Sequence, residues 1–202
     1  GAIPYTNDLG VTYDSGLFEK SMDMVIKMID WKGQRKRKRY WKNKGFLYGI
    51  GLSNYVETAS GYPVERGEMI VLPEGNVELI LGTQSSGQSH ETTFAQVVSE
   101  WLGIPMASIV LRTGDTKFVT KGSGSHSSRS LTLAGHLYRQ TTDKIIDHGK
   151  RIAAFHWHAK AKNIDFDAGH FQLSGTNLSL HLFEIAKLAE SSRTPSYLSG
   201  PL

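Results

Sequence analysis

The most constraining feature of the sequence is a change in hydrophobic spacing that marks a hairpin, a polar loop and a helix in succession. The segment GEMIVLPEGNVELILGT at residues 67–83 holds two apolar runs separated by the turn residues 73–76, which predicts a β-hairpin. After a loop rich in Gly, Ser and Gln, apolar residues recur at helical spacing: Phe94, Val97, Val98, Trp101 and Leu102. Gly103 predicts the end of that helix.

A second strand, loop and helix follow in the same order. SIVLRT at residues 108–113 predicts a strand, and GDTKFVTKGSGSHSSRS at residues 114–130 predicts a loop. A long helix is then expected from near Ser128 through a regular series of residues, Leu133, Leu137, Thr141 and Ile145. Gly149 predicts a break in it, and hence a sub-lobe boundary near residue 149.

The remaining segments complete an irregular alternation of helices and strands. DSGLFEKSMDMVIKMIDW at residues 14–31 predicts an amphipathic helix capped by Asp14 or Ser15. The period-two pattern of residues 45–57 predicts a strand, residues 164–175 a hairpin and residues 179–190 a last helix. This order favours an α+β fold, with a mixed sheet, hairpins and packed helices, over a doubly wound sheet.

Composition and charge exclude several classes of protein. The 202 residues are 39% hydrophobic and 21% charged, which is typical of a globular chain, and we expect one domain over residues 1–202. The chain has no cysteine, which excludes disulfides, thiolate metal sites and a Cys nucleophile. No apolar run is long enough to cross a membrane, so we expect a cytoplasmic protein without a membrane partner.

Much of the net charge of +4 lies in the run QRKRKRYWKNK, residues 34–44. Interleaved with Tyr40 and Trp41, such a run could bind nucleic acid or an acidic surface. The alternative, which we favour, is a solvated helix end or connector over residues 33–44 whose aromatic residues anchor it to the core. No other basic stripe supports a nucleic-acid groove.

The two polar loops are the candidate binding site. Helix N-termini carry unpaired N–H groups and attract anions, and Lys121 and the forked guanidinium of Arg129 add positive charge. Small residues would admit a ligand close to the backbone, which fits a diphosphate within a larger uncharged ligand: Gly87, Gly122, Gly124, Ser125, Ser127, Ser128 and Ser130. Neither loop has a Walker A or Rossmann pattern. The alternative is that these residues only cap helices and form turns.

The sequence offers little support for a metal site or for general base catalysis. His156 and His158 lie two apart and would point to different faces of a helix, and the other histidines lack acidic partners at ligand spacing, so we expect no metal site made of protein ligands. Asp115 and Glu57 are candidate general bases, but we expect Asp115 to shape its turn instead.

The ordered motifs GQSHETTFAQ, LGIP, GDT and GSGSHSSRS resemble the molybdenum-binding large subunits of the xanthine dehydrogenase and aldehyde oxidase family. The bacterial carbon monoxide dehydrogenase type is the most similar. Residues 13–31 and 164–189 resemble the same subunits in the same order. The resemblance implies a molybdopterin-binding type of domain, and that the chain is a fragment of the second cofactor-binding region.

The resemblance also implies roles for individual residues. Gln88 would hydrogen-bond the molybdopterin, within a motif that includes Gly87, Ser89 and His90. The second motif would line the cofactor and its phosphate through Ser125, Ser127, Ser128, Arg129 and Ser130. Ser89 and Ser127 depart from the small residues of the family, and Ser127 would add a hydroxyl near the metal. The catalytic glutamate of the family would lie outside the chain, so no catalytic residue is assigned.

The implied cofactor is molybdopterin cytosine dinucleotide, with iron–sulfur clusters and FAD on other domains or subunits. The implied parent is a dimer of heterotrimers that oxidises an aldehyde, N-heterocycle, purine or similar small molecule, while this piece alone is inactive. The alternative is a cofactor-free binding or interaction domain that works through residues 34–44.

Overall fold

The computed structural model describes residues 3–57 and 61–202, and the chain divides into two compact units, residues 1–57 and 58–202. The first unit opens with an antiparallel ribbon of two short strands, β1 (Tyr5–Thr6) and β2 (Thr12–Tyr13). It continues into two helices, α1 (Phe18–Met28) and α2 (Gln34–Asn43). None of the described residues of this unit is buried.

The second unit is built on a mixed three-stranded sheet. Its strands are β3 (Gly67–Leu72), β4 (Asn76–Leu81) and β5 (Ile109–Arg112). The predicted hairpin makes β3 and β4 antiparallel, whereas β5 runs parallel to β4 because helix α3 (His90–Leu102) connects them. Gly103 ends α3 in the left-handed conformation, as predicted.

A second, antiparallel sheet follows a long helix. A π-helical turn (Ser130–Ala134) leads into α4 (Gly135–His156). The sheet contains β6 (Ile164–Asp167), β7 (His170–Leu173) and β8 (Ser179–His181), and α5 (Leu182–Ala189) follows directly. These elements confirm the predicted α+β class and the second hairpin. The last helix is confirmed from Leu182 onward, whereas residues 179–181, predicted as its start, pair with β7 as a strand.

One hydrophobic core lies inside the second unit. Strand β4 contributes three fully buried residues at period two, Val77, Leu79 and Leu81. Apolar residues from α3, α4 and α5 complete the core, including Phe94, Leu102, Ile152 and Ile185. The two polar loops leave this core at the ends of β4 and β5, so their first residues are held by packed strands.

Three predictions for the first unit are wrong. Helix α1 has Leu17 at its N-cap, because the Ser15 hydroxyl donates to Asp14 instead of capping the helix. The basic run forms the solvated helix α2, but Tyr40 and Trp41 are 55% and 40% exposed, so they do not anchor it to a core. Residues 45–57 form no strand, since no other described segment pairs with them.

The predicted break near residue 149 is also wrong, because α4 runs without interruption from Gly135 to His156. Gly149 is buried in the middle of this helix, facing the aromatic ring of Phe171. A Cβ atom at Gly149 would lie 2.3 Å from the Phe171 ring. The glycine therefore admits a ring from β7 and does not end the helix.

Gly149→Ala should destabilise the protein by about 1–3 kcal/mol, because the new methyl group overlaps the Phe171 ring. The matched control is Gly135→Ala in the same helix, where the new Cβ would meet Leu131 at an ordinary 3.5 Å. Since alanine favours a helix, the control should gain up to about 1 kcal/mol. Urea unfolding measures both. Equal effects of the two substitutions would contradict the packing role of Gly149.

Acid should destabilise the cap of α5. Burial, and secondarily the neighbouring His170, lower the pKa of His181, while Glu184 opposes the shift. The folded protein thus binds this proton less readily than the unfolded chain. The stabilising contribution is complete above the ordinary histidine pKa of about 6.5 and falls as the pH drops below it. Protonation of Nδ1 would also remove the acceptor of the Phe183 N–H, 3.3 Å away.

His181→Asn tests this because asparagine caps helices and does not titrate. The difference in urea midpoint between about pH 7.5 and about pH 5.5 should be smaller in the variant than in the parent chain. An unchanged difference would assign the acid sensitivity to other groups.

Candidate functional site

The structure brings the two polar loops together through side chains that the sequence singled out. The first loop, residues 82–89, joins β4 to α3, and the second, residues 113–129, joins β5 to the π-helical turn. Gln88 Nε2 donates to the hydroxyl of Ser125 over 3.2 Å. Ser125 Oγ lies 2.7 Å from Ser130 Oγ. Three predicted residues therefore form one hydrogen-bonded chain across the loops.

The backbones of the two loops touch at Gly82 and Gly122. A Cβ atom on Gly82 would lie 2.3 Å from Gly122 Cα, and one on Gly122 would lie 2.4 Å from Gly82 Cα. Backbone atoms cannot move aside as a flexible side chain can, so both positions require glycine. This contact fixes the distance between the loops where they leave the sheet.

Beyond that contact, two glycines face open space. Gly87 and Gly124 have φ values of 107° and 78°, and a Cβ atom on either would meet nothing within 4 Å. Their backbone can therefore come close to a ligand. Ser89 precedes α3 at φ 58°, and its side chain does not cap the helix. The first turn of α3 thus keeps N–H groups without a side-chain acceptor, which favours an anion nearby.

Arg129 is the buried centre of the second loop. Its guanidinium has no exposed surface and forms a 2.7 Å ion pair with Glu65, which is 1% exposed. Its other hydrogen bonds go to the carbonyl oxygens of Tyr62 (2.9 Å), Val64 (2.7 Å) and Gly124 (2.5 Å). The prediction that its fork is presented to a phosphate is wrong, because these partners already occupy it.

Arg129 instead ties the second loop to residues 61–66, and we call its ion pair with Glu65 and its hydrogen bonds to the backbone the clamp. Ser123 supports the same junction by donating from its hydroxyl to the carbonyl of Val64 over 3.1 Å. No sequence signal points to Glu65, which lies outside both motifs and before β3. Only the fold shows that this carboxylate is the partner of Arg129.

His90 also points inward. Its ring is buried, its Nδ1 lies 3.1 Å from the carbonyl oxygen of Thr83, and it packs on Phe94 with ring centroids 5.1 Å apart. His90 therefore secures the start of α3 to the end of β4. Thr83 was not predicted as a site residue. Its buried hydroxyl has no hydrogen-bond partner within the described parts of the chain.

Ser127 and Ser128 adopt the left-handed conformation, with φ values of 50° and 58°. Two consecutive serines in this region store strain, which persists only where the surrounding structure imposes it. Ser127 Oγ lies 3.2 Å from His126 Nδ1, and the carbonyl of Ser128 accepts from the Thr132 hydroxyl over 3.0 Å. The clamp at the adjacent Arg129 supplies that constraint.

A cavity of about 500 Å³ lies beside the contact between the loops, lined by residues that include Gly82, Asp115, Thr116, Lys121 and Gly122. Asp115 accepts from the backbone N–H of Lys117 over 2.8 Å, which confirms that it shapes its own turn. Lys121 lines this cavity and contributes a cation that Arg129 does not.

The described residues contain no cluster of three or more His, Cys, Asp or Glu side chains suited to a metal. His156 Nε2 forms a 2.9 Å hydrogen bond with the Thr194 hydroxyl. Glu57, the other candidate base, belongs to the first unit. Within residues 3–57 and 61–202, no helix is long and apolar enough to span a membrane.

Comparison with known families identifies the type of domain. Residues 24–199, which include both loops, match the family described as molybdopterin cofactor-binding domain. The chain belongs to this family. The predicted resemblance to the large subunits of molybdenum hydroxylases is thereby confirmed, as is the molybdopterin-binding type of fold.

Individual relatives give the same result. The chain is 29% identical over 187 residues to the carbon monoxide dehydrogenase large chain of Hydrogenophaga pseudoflava, covering 86% of this chain and 23% of that protein. It is 28% identical over 209 residues to the nicotine 6-hydroxylase large subunit of Paenarthrobacter nicotinovorans, covering 96% and 26%.

A solved structure of reconstituted CO dehydrogenase from Oligotropha carboxidovorans matches with a TM-score of 0.66 and 25% identity, covering 99% of this chain and 27% of that one. The chain thus spans about a quarter of the length of the relatives it matches.

Glu65→Gln should destabilise the second unit by about 3–5 kcal/mol, because it leaves the guanidinium of Arg129 buried without its counter-charge. The matched control is Asp143→Asn, which removes a carboxylate from an ion pair with Arg139 that is 54% exposed on both sides. That change should stay within about 0.5 kcal/mol. Urea unfolding compares the two. A loss of less than about 1 kcal/mol in Glu65→Gln would contradict the clamp.

Proposed function

We propose that this chain forms part of the cleft that holds the molybdenum cofactor in the large subunit of an oxidoreductase. The observation that carries the proposal is the hydrogen bond from Gln88 to Ser125, which joins the two motif loops. The membership of the family supports it, since the matched residues include both loops. We also propose that the whole protein that contains this chain is an oxidoreductase.

The residues present fit a pterin dinucleotide. Gln88, Ser125 and Ser130 offer neutral hydrogen-bonding groups, and Gly87 and Gly124 leave open space above their backbone. The uncapped first turn of α3 and the side chain of Lys121 supply positive potential for a diphosphate. We propose the cytosine dinucleotide form, which the resemblance to the bacterial enzymes implies, with Gln88, Ser125 and Ser130 as direct contacts and Ser89, Ser127 and Ser128 bordering the same cleft.

Arg129 and His90 have indirect roles in this proposal. Arg129 positions Gly124 and Ser125 through its ion pair with Glu65 and its hydrogen bond to the Gly124 carbonyl. His90 fixes the start of α3 through Thr83. Both side chains are buried, so they shape the cleft without touching its contents.

When bound, the cofactor supplies oxygen-transfer and two-electron chemistry, while the chain binds and orients it. We assign no general base, since Asp115 is committed to its own turn. The names of the relatives, carbon monoxide dehydrogenase and nicotine 6-hydroxylase, support a small molecule such as an N-heterocycle as the substrate. We expect the 202 residues alone to be inactive.

The proposal also implies partners. The matched relatives are named large chains and large subunits, which supports assembly with other subunits. Because this chain contains no cysteine, iron–sulfur clusters would be ligated elsewhere, and the flavin would likewise be held on another domain or subunit.

The test is calorimetric titration of the chain with cytidine diphosphate, which represents the nucleotide half of the cofactor. We expect saturable binding that Gln88→Ala weakens several-fold, as expected for the loss of one neutral hydrogen bond worth about 0.5–1.5 kcal/mol. The matched control is Gln172→Ala on the exposed face of β7, which should leave the affinity unchanged.

Absence of binding, or equal loss in the two glutamine variants, would contradict the assignment of the nucleotide site to these loops. Release of an oxidised product by the isolated chain from an aldehyde or a purine would contradict its predicted inactivity.

A further inference from the structure

The excess positive charge of the protein belongs entirely to its first unit. Residues 1–57 contain ten basic and six acidic residues, whereas residues 58–202 contain thirteen of each. Helix α2 and its C-cap carry seven of the ten basic residues and no acidic residue. The charge is therefore a local property of one helix, and the cofactor cleft does not account for it.

The cations of helix α2 lie on different faces of the helix. Residues 35, 38, 39 and 42 follow the spacing i, i+3, i+4 and i+7, which places them along one face of a helix. We call these four exposed residues the basic stripe: Arg35, Lys38, Arg39 and Lys42. In the described parts of the chain, none of the four has a carboxylate within ion-pair distance, since Arg37 is the only α2 residue in such a pair.

Arg37 lies on the opposite side and fixes the helix in place. Its guanidinium donates to Asp30 Oδ2 (2.9 Å), to the carbonyl oxygens of Ile29 (2.6 Å) and Asp30 (2.7 Å), and to the Tyr48 hydroxyl (3.1 Å). Arg37 therefore ties α2 to the end of α1 and to the segment that follows. The basic stripe takes no part in these contacts, so the fold of the unit does not explain it.

The stripe also opposes the stability of its own helix. Four cations on one face repel one another, and Arg35 lies in the first turn, where the helix dipole already favours an anion. A bound anionic surface would relieve both effects. A solvated face without a partner would gain nothing from this arrangement.

The aromatic residues of α2 argue against a nucleic acid as the partner. Tyr40 lies on the opposite side of the helix from the basic stripe, and Trp41 lies at the edge of the stripe, beside Lys38. Their rings pack edge to face, Tyr40 on Trp41 at 5.3 Å and Trp41 on Phe46 at 5.8 Å. They are therefore not arranged as a platform on which bases could stack while phosphates contact the stripe.

We propose that the basic stripe of α2 docks an acidic segment of a protein partner. The helix is about 15 Å long, which matches four or five residues of an extended chain bearing carboxylates. Guanidinium and ammonium groups on one face would pair with these carboxylates at the rim of an interface, where such pairs set the rate and orientation of association.

Fluorescence anisotropy of a labelled oligoglutamate peptide tests the docking on the complete chain. The stripe variant combines Arg35→Gln, Lys38→Gln, Arg39→Gln and Lys42→Gln. The control variant has the same net charge, with four exposed residues of the second unit changed: Lys144→Gln, Arg151→Gln, Lys160→Gln and Lys187→Gln. Glutamine keeps helix propensity, and the stripe variant loses only repulsion, so both should fold, which circular dichroism checks.

We expect the stripe variant to bind the peptide about tenfold more weakly than the parent chain, and the control variant to stay within about twofold. Binding to the parent should also fall when sodium chloride rises from about 50 mM to about 200 mM. If the stripe variant proves unfolded, the two single variants Lys38→Gln and Lys42→Gln should each give a smaller loss.

Equal losses in the stripe and control variants would overturn the proposal, because net charge alone would then explain the binding. A labelled oligothymidylate of equal charge provides the second comparison. If it remains bound at about 200 mM salt while the peptide dissociates, the stripe is a nucleic-acid surface and the proposal is wrong.

Discussion

The buried ion pair between Arg129 and Glu65 is the interaction on which the candidate site depends. Two charges removed from water are costly unless each finds complete hydrogen bonding, and here the guanidinium also satisfies three backbone carbonyls. This network holds a loop that contains two left-handed serines and an open glycine. Without it, the loop would lose the ties that hold Gly124 and Arg129 to residues 61–66.

The clamp acts together with two further constraints. The contact of Gly82 with Gly122 sets the distance between the loops, and the hydrogen bond of His90 to Thr83 sets the start of α3. The packed strands β4 and β5 carry these constraints from the core to the cleft. A rigid support beneath small, neutral side chains is what a large hydrogen-bonding ligand requires, because little ordering remains to be done on binding.

The sequence predicted most of the second unit and much less of the first. Periodicity sufficed for the hairpin of β3 and β4, for α3 and for α5, because each buries one regular face in a single core. The predicted break at Gly149 was wrong because glycine in a helix indicates either a break or a close neighbour, and only the fold shows the Phe171 ring. Residues 45–57 alternate like a strand, but alternation cannot supply a pairing partner.

The structure brings some of the predicted site residues together and gives others different contacts. Gln88, Ser125 and Ser130 come together as one hydrogen-bonded chain, whereas Arg129 and His90 are turned inward. A motif shows which residues recur together, but not which atoms face a ligand, since that depends on distant partners such as Glu65. The basic stripe shows the same limit. Its spacing could be predicted from the sequence, but the contacts of Arg37 with the end of α1 could not.

If the clamp prepares the cleft, Glu65 and Gln88 should be coupled in their effects on nucleotide affinity, which a double-mutant cycle measures. Cytidine diphosphate affinity would be measured for the parent chain, Glu65→Gln, Gln88→Ala and the double variant, under conditions where each remains folded. If the clamp delivers Ser125 to Gln88, the effects are coupled and the double variant loses less than the sum of the single losses. Additive losses would contradict the account, because Gln88 would then contribute equally with and without the clamp.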